Sequence, residues 1–192
     1  MTSAPTVSGP QADDTLYIHP SDFAYRGELY SFEHLMAHAV DLAGSLKTDA
    51  SVQDAPEFRS RFSENAEFLK EANRTLARGA RDGDPVTPDT QWLLDNFYVV
   101  EEQLRQIQED LPASYFRELP KLSSGEPRIH RLALELVTHT DSVLDQGTIV
   151  EFIRRFQAVA PLSIGEVWAI PIMFRLVLVE NLRRLSAQML KM

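Results

Sequence analysis

Cysteine is missing from the chain, which excludes a disulfide framework and thiolate metal sites together. Basic charge is scarce: 19 Lys and Arg stand against 28 Asp and Glu, a formal charge of -9 with a pI near 5.0. A nucleic-acid surface needs clustered Lys and Arg against phosphate, so that class of partner is excluded. The same deficit argues against a polybasic hold on anionic lipid. Residues 1–14 have neither a basic start nor an apolar run, so they are not a secretory signal, and a cytoplasmic location is the default expectation. Uninterrupted apolar runs of membrane length are also lacking. The greasiest segment, from Val167 to Val179, is broken by Pro171 and Arg175. Between Glu166 and Glu180 a helix reaches roughly 20 Å, short of a hydrocarbon layer of roughly 30 Å. Arg175 at its centre adds roughly 2.5–3.5 kcal/mol to insertion. A helix apolar on every side and too short for a bilayer belongs inside a core.

What remains, over 192 residues with 44% hydrophobic content, is enough for one helical domain. Residues 1–15 read as a disordered tail by composition and 16–192 as a single domain. Residues 16–30 are irregular, with Tyr17, Phe23, Tyr25 and Tyr30 suited to wrap the body as an arm. The first helix starts at Ser31, a capping hydroxyl, and Phe32, Leu35, Met36, Ala39, Leu42, Ala43 and Leu46 repeat at helical spacing. A second spans about 56–80, with Pro56 at its first position and Phe58, Phe62, Ala66, Leu69, Ala72 and Leu76 inward. A third is announced by Thr87, Pro88 and Asp89; Leu93, Phe97, Val100, Leu104, Ile107 and Leu111 make a heptad-like seam. Residues 111–120 form a connector pinned by Tyr115, Phe116 and Leu119. A fourth helix covers about 127–139 and a fifth about 146–160. Ser163 and Glu166 make a capping box that opens the final helix, which Pro171 is expected to kink. No stretch alternates as a strand. The expectation is an all-α bundle of about six helices, and good helix formers run to Met192 as they would in a piece of something longer.

Chemistry is thinly signalled. His34, His38 and Asp41 share a helical face at i, i+4 and i+7, a spacing a metal could use, although no glutamate follows His34 as in the zincin pattern. Glu101, Glu102, Glu109 and Asp110 resemble paired carboxylates, but with Arg105 among them they read as a solvated face with local ion pairs. Arg175 in its apolar helix stands either at a groove or buried with a carboxylate partner; a partner is the expectation, with Asp95, Glu101, Glu102 and Glu135 the candidates. Asp95–Asn96 and Glu180–Asn181 are acid–amide pairs expected to hydrogen-bond across helices. His139 and Asp141 lack a nucleophile elbow and read as helix capping. No catalytic or cofactor-binding residue emerges, and Arg175, Asp95, Asn96, Glu101, Glu180 and Asn181 form the expected structural polar set.

Four stretches in order carry a resemblance: GELYSFEHLMAHA at 27–39, WLLDNFYVVEEQ at 92–103, DLPASYFRELPKL at 110–122 and LSIGEVWAIPIMFRL at 162–176. Together they resemble the N-terminal helical region of bacterial cyclic β-1,2-glucan synthases over about residues 26–185. The resemblance implies kinship with large inner-membrane enzymes in which a processive glycosyltransferase using UDP-glucose lies among transmembrane helices, followed by a glycoside-phosphorylase-like module. The helical region precedes those parts on the cytoplasmic side. This chain shows none of those modules, so no family catalytic residue transfers to it. The implied role is a non-catalytic scaffold whose partners are the catalytic and membrane modules of a synthase, with no cofactor. A free-standing adaptor that binds a partner helix is the alternative, and a small metal-dependent enzyme using His34 and His38 a third.

Overall fold

The computed structural model describes residues 27–52 and 56–191. The tail expected over 1–15 and most of the aromatic arm lie outside the described residues. Among those residues the chain is all-α, with seven helices: α1 Phe32–Ser45, α2 Pro56–Asp82, α3 Pro88–Asp110, α4 Ala113–Glu118, α5 Arg128–His139, α6 Gln146–Gln157 and α7 Ile164–Met189. The only sheet-like pairing among them is an isolated bridge between Lys121 and Pro127. The helix beyond the expected six is α4, which forms inside the stretch read as a connector.

Local chemistry explains the starts. Ser31 Oγ accepts from the His34 amide at 3.2 Å, and Thr87 Oγ1 accepts from Thr90 N at 3.2 Å behind Pro88. Asp145, which the sequence reading passed over, caps α6 through Thr148 N at 2.9 Å. The capping box of α7 is complete: Ser163 Oγ takes the Glu166 amide and Glu166 Oε2 takes the Ser163 amide. Such caps are worth about 1 kcal/mol each. After α2, Gly83 turns the chain at φ 95°, a conformation that costs a residue without Cβ little.

Two buried clusters divide the interior. One gathers α1, α5 and α6, with Leu35, Leu132, Leu136, Phe152 and Phe156 at its centre. The other gathers α2, α3 and α4 through Phe58, Leu69, Leu93, Leu104, Ile107 and Phe116. Helix α7 serves both: Ala169, Met173, Phe174 and Val177 enter the first cluster, and Ile172, Leu176 and Val179 enter the second. A helix wedged between two cores needs two apolar faces, and this accounts for its composition.

A third face of α7 remains outside. Ile164, Val167, Trp168, Pro171 and Leu178 are all exposed, Trp168 at 75%, so the helix is not buried on every side as its composition suggested. Pro171 lies on this outer side within an unbroken helix. Phe32, expected inward on α1, is 51% exposed, because the buried stripe of that helix begins only at Leu35. Helix α6 stops at Gln157, short of the expected 160.

Candidate functional site

The polar interior is built on α5, whose Arg128, His130, Arg131, Glu135 and His139 reach across to three other parts of the chain. At its start, Arg128 donates through Nε and Nη2 to both carboxylate oxygens of Glu166, at 2.8 and 2.7 Å, and Nη2 also reaches the Pro161 carbonyl at 3.0 Å. Glu166 is wholly buried, so a residue that caps α7 also ties it to α5. Two residues along, His130 is wholly buried between two carboxylates. Its Nδ1 lies 2.5 Å from Glu126 Oε1 and its Nε2 3.3 Å from Glu180 Oε2. Arg131 donates to Glu126 Oε2 at 2.8 Å and Arg61 to Glu180 Oε1 at 3.0 Å.

This network alternates cation and anion, and its protonation follows from that order. Burial alone pushes the Glu180 carboxyl up, yet the hydrogen bonds and charges of His130 and Arg61 prevail and bring it down to about 2 from an ordinary 4.5. Glu126 is likewise lowered against its burial by His130 and Arg131. Burial pushes the His130 imidazole down, but Glu126 and Glu180 outweigh it and raise it above the ordinary 6.5. The result is an internal salt lattice and not an acid–base pair poised near neutrality, which would need its members' affinities brought together. Beside it Asn181 Nδ2 donates to Ser142 Oγ at 3.1 Å; Asp141 and Ser142 adopt positive φ of 50° and 62° in the turn after α5.

The expected polar set divides accordingly. Glu180 meets His130 of α5 and Arg61 of α2, and Asn181 reaches Ser142 in the turn after α5. Asp95, expected to bond across helices, is exposed and accepts from Gln91 one turn back, while Asn96 Nδ2 donates to the Trp92 carbonyl of its own helix at 2.8 Å. Glu101 is exposed. Arg175 pairs with none of the four acids proposed for it; its Nη1 meets Asp110 Oδ2 and Gln106 Oε1, each at 3.2 Å, and its Nε donates to the Pro171 carbonyl at 3.3 Å. Arg105 bridges Glu102 and Glu109 on the surface of α3.

His34, His38 and Asp41, candidate metal ligands by spacing that read first as half-exposed helix positions, also separate. Asp41 is exposed and does not join the converging donors, and His34 stacks on the Tyr30 ring at 4.0 Å. His38 instead meets the other end of α5: its Nε2 lies 3.1 Å from Glu135 Oε2, and His139 Nε2 lies 3.5 Å from the same oxygen. His139, read from sequence as a helix cap, turns its Nδ1 to the Glu28 carbonyl at 2.7 Å. Glu135 and His139 stand four residues apart on α5, a spacing visible in the sequence, but nothing local pointed to α1 as the supplier of the third group. Among the described residues, His38, Glu135 and His139 are the one trio of this kind whose donor atoms converge, all within 4.8 Å of one another.

A cleft of about 470 Å³ opens between the start of α2 and the end of α3, lined by Phe58, Phe62, Ile107 and Phe116 together with the polar Arg59 and Gln108. Among the described residues no Asp, Glu or His lines it. Below it Lys121 is buried and donates to the carbonyls of Phe116, Arg117 and Leu119 at 3.0, 3.1 and 2.9 Å. That ammonium closes the end of α4.

Comparison with known proteins agrees with the resemblance carried by the four stretches. The chain is 41% identical over 133 residues to the cyclic beta-(1,2)-glucan synthase NdvB of Rhizobium meliloti (strain 1021). The match covers 68% of this chain and only 5% of that much larger protein. No family model matches the chain.

Proposed function

From the kinship with a cyclic β-(1,2)-glucan synthase, we propose that this chain is a non-catalytic helical scaffold that packs on the catalytic and membrane modules of such a synthase from the cytoplasmic side. The reading treats residues 16–192 as one helical unit. The observation that carries it is the match itself: the related region forms a small part of a very large synthase. Two features support a scaffolding role. Among the described residues no helix is long and apolar enough to cross a membrane, so a link to the bilayer would have to come through other modules. The buried carboxylates and histidine of the α5 network are locked in ion pairs, an arrangement suited to holding helices in register.

The outer face of α7 is the surface best suited to contact those modules. Trp168 and Ile164 are 75% and 79% exposed one turn apart, with Pro171 and Leu178 continuing the line. Aromatic and large aliphatic side chains presented together are the usual anchors of a protein interface. The same face supports a second reading, a free-standing adaptor that binds a partner helix.

The experiment is a substitution in a full-length synthase that carries this region. Trp168→Glu should lower glucan formation or assembly of the enzyme while the isolated region keeps its helical circular dichroism. Full synthase activity after removal of the whole region, or glucan made by the 192-residue chain alone, would overturn the proposal. Co-purification of the isolated chain with a soluble partner protein in preference to synthase modules would favour the adaptor.

A further inference from the structure

We propose that His38, Glu135 and His139 form a three-ligand site for a divalent transition-metal ion of the zinc class. Two imidazoles and one carboxylate make a donor set that zinc accepts, with a fourth position left to water or another ligand. Both imidazoles turn Nε2 toward a single oxygen, Glu135 Oε2, at 3.1 and 3.5 Å. A tetrahedral ion with ligands at about 2.0–2.1 Å sets them about 3.3 Å apart, so two of the three edges already have the length required. One donor atom from each residue lies within 4.8 Å of the others, and the third edge therefore needs at most about 1.5 Å of side-chain movement to close.

The hydrogen bond at the far side of His139 fixes how its ring is presented. The Glu28 carbonyl is only an acceptor, so the 2.7 Å bond to His139 Nδ1 puts a proton on that nitrogen. Nε2, the ring's other nitrogen, then faces the Glu135 carboxylate oxygen at 3.5 Å, a position from which it can bind an ion that the carboxylate also holds. His38 directs a second ring nitrogen to the same oxygen, and one divalent ion satisfies all three groups. The bond from Nδ1 to a backbone carbonyl is also the outer-shell contact that orients histidines in metal sites.

The surroundings fit an ion that can enter and stay. The three side chains are between 13% and 24% exposed, half-buried and open to solvent on one side. The Tyr30 ring is sandwiched between His139 at 3.9 Å and His34 at 4.0 Å, and its edge meets His38, which fixes both ligand rings. Arg131 approaches only the other carboxylate oxygen, Oε1, at 4.0 Å, and its charge is shared with Glu126. That leaves Oε2 as the ligand atom. Occupancy would fasten α1 and the segment before it to the end of α5, where the backbone contacts are two amide bonds, from Gly27 to Thr138 and from Tyr30 to His139, at 3.3 and 3.2 Å.

The 192-residue chain, freed of metal by a chelator, is titrated with Zn2+ by calorimetry and with Co2+ by visible absorption. One equivalent of Zn2+ should bind, and Co2+ should give the intense absorption of a four- or five-coordinate site. Glu135→Gln and His139→Ala should each weaken Zn2+ binding by more than the roughly 10–100-fold that losing an outer-shell partner costs. His34→Ala, on the far side of Tyr30, should retain it. Absence of saturable Zn2+ binding to the unaltered folded chain would overturn the proposal. So would the weak absorption of six-coordinate Co2+, or binding lost equally in His34→Ala. Melting curves in chelator identify any variant that has failed to fold, and the Co2+ spectrum of the unaltered chain decides the matter without it.

Discussion

Helix α5 and the loop that leads into it carry two histidine–carboxylate clusters with the same spacing, Glu126 with His130 and Glu135 with His139, each at i, i+4, and their surroundings give them opposite characters. The first is wholly enclosed. Its carboxylates are shared with Arg131 and Arg61, and a second acid, Glu180, arrives from α7. The second lies at the edge of α5 beside α1, half open, with its second partner a histidine. Enclosure turns the first into a set of charges that must all be present together. Partial exposure leaves the second able to exchange a proton, a water or an ion with the solvent. Burial, and not the pair of residues, decides which site holds the fold and which is free to bind.

Removing Glu180 should separate the two most sharply. It is 4% exposed, lies 3.3 Å from His130 Nε2 and pairs with Arg61, so Glu180→Leu leaves a buried imidazole and a half-exposed guanidinium facing an apolar group. Breaking a buried ion pair on one side costs about 3–5 kcal/mol, and urea denaturation should show a loss in that range. His139→Ala at the open cluster should cost far less. It removes the bond to the Glu28 carbonyl, worth about 0.5–1.5 kcal/mol for an ordinary hydrogen bond, together with some stacking on Tyr30. A His139→Ala loss equal to that of Glu180→Leu would mean that exposure does not separate the sites as argued.

The pH dependence of stability tests the enclosed cluster from both sides. Glu180 has its folded value brought down to about 2 from 4.5, in spite of burial, by His130 and Arg61. Its contribution is therefore complete above about 4.5 and is lost as the pH falls toward 2. His130 is raised above 6.5 by Glu126 and Glu180 in spite of burial. Its contribution is complete below about 6.5 and is lost as the pH rises through the folded value. The urea midpoint should thus be highest between those limits and decline on both sides. His130→Gln should flatten the alkaline decline, and Glu180→Gln should reduce the acid one. An alkaline decline unchanged in His130→Gln would assign it to other groups.

The two clusters also mark where sequence reading stopped. Helix starts were legible because capping is local: Ser31, Thr87 and the Ser163–Glu166 box each act within three residues. The inner stripes of α2 and α3 were legible by period, and the family resemblance rested on ordered stretches of the same kind. The partner of Arg175 was not, because its choice depends on the register of α7 against α3. Arg175 lies against the end of α3, so Asp110 is in reach and Asp95, Glu101 and Glu102 are not among its contacts. The enclosed cluster needed Arg61 and Glu180 brought to one helix from opposite ends of the chain. The open cluster needed α1 laid beside the end of α5. In α7 the apolar excess was read as complete burial, whereas two cores occupy two faces and leave a third outside.

That third face sets the smallest stability effect and so the most selective test. Trp168 is 75% exposed and makes no part of either buried cluster, so Trp168→Glu should change folding stability by no more than about 0.5 kcal/mol. Glu180→Leu and Trp168→Glu lie on the same helix, one inside the salt lattice and one on the outer surface. If α7 is both the keystone of two cores and a docking ridge, the first should unfold the region and the second should leave it folded yet lower the activity of a synthase that carries such a region. A Trp168→Glu region that loses several kcal/mol would mean that the outer face is already covered within this chain, and the ridge would then be part of the fold and not a docking surface.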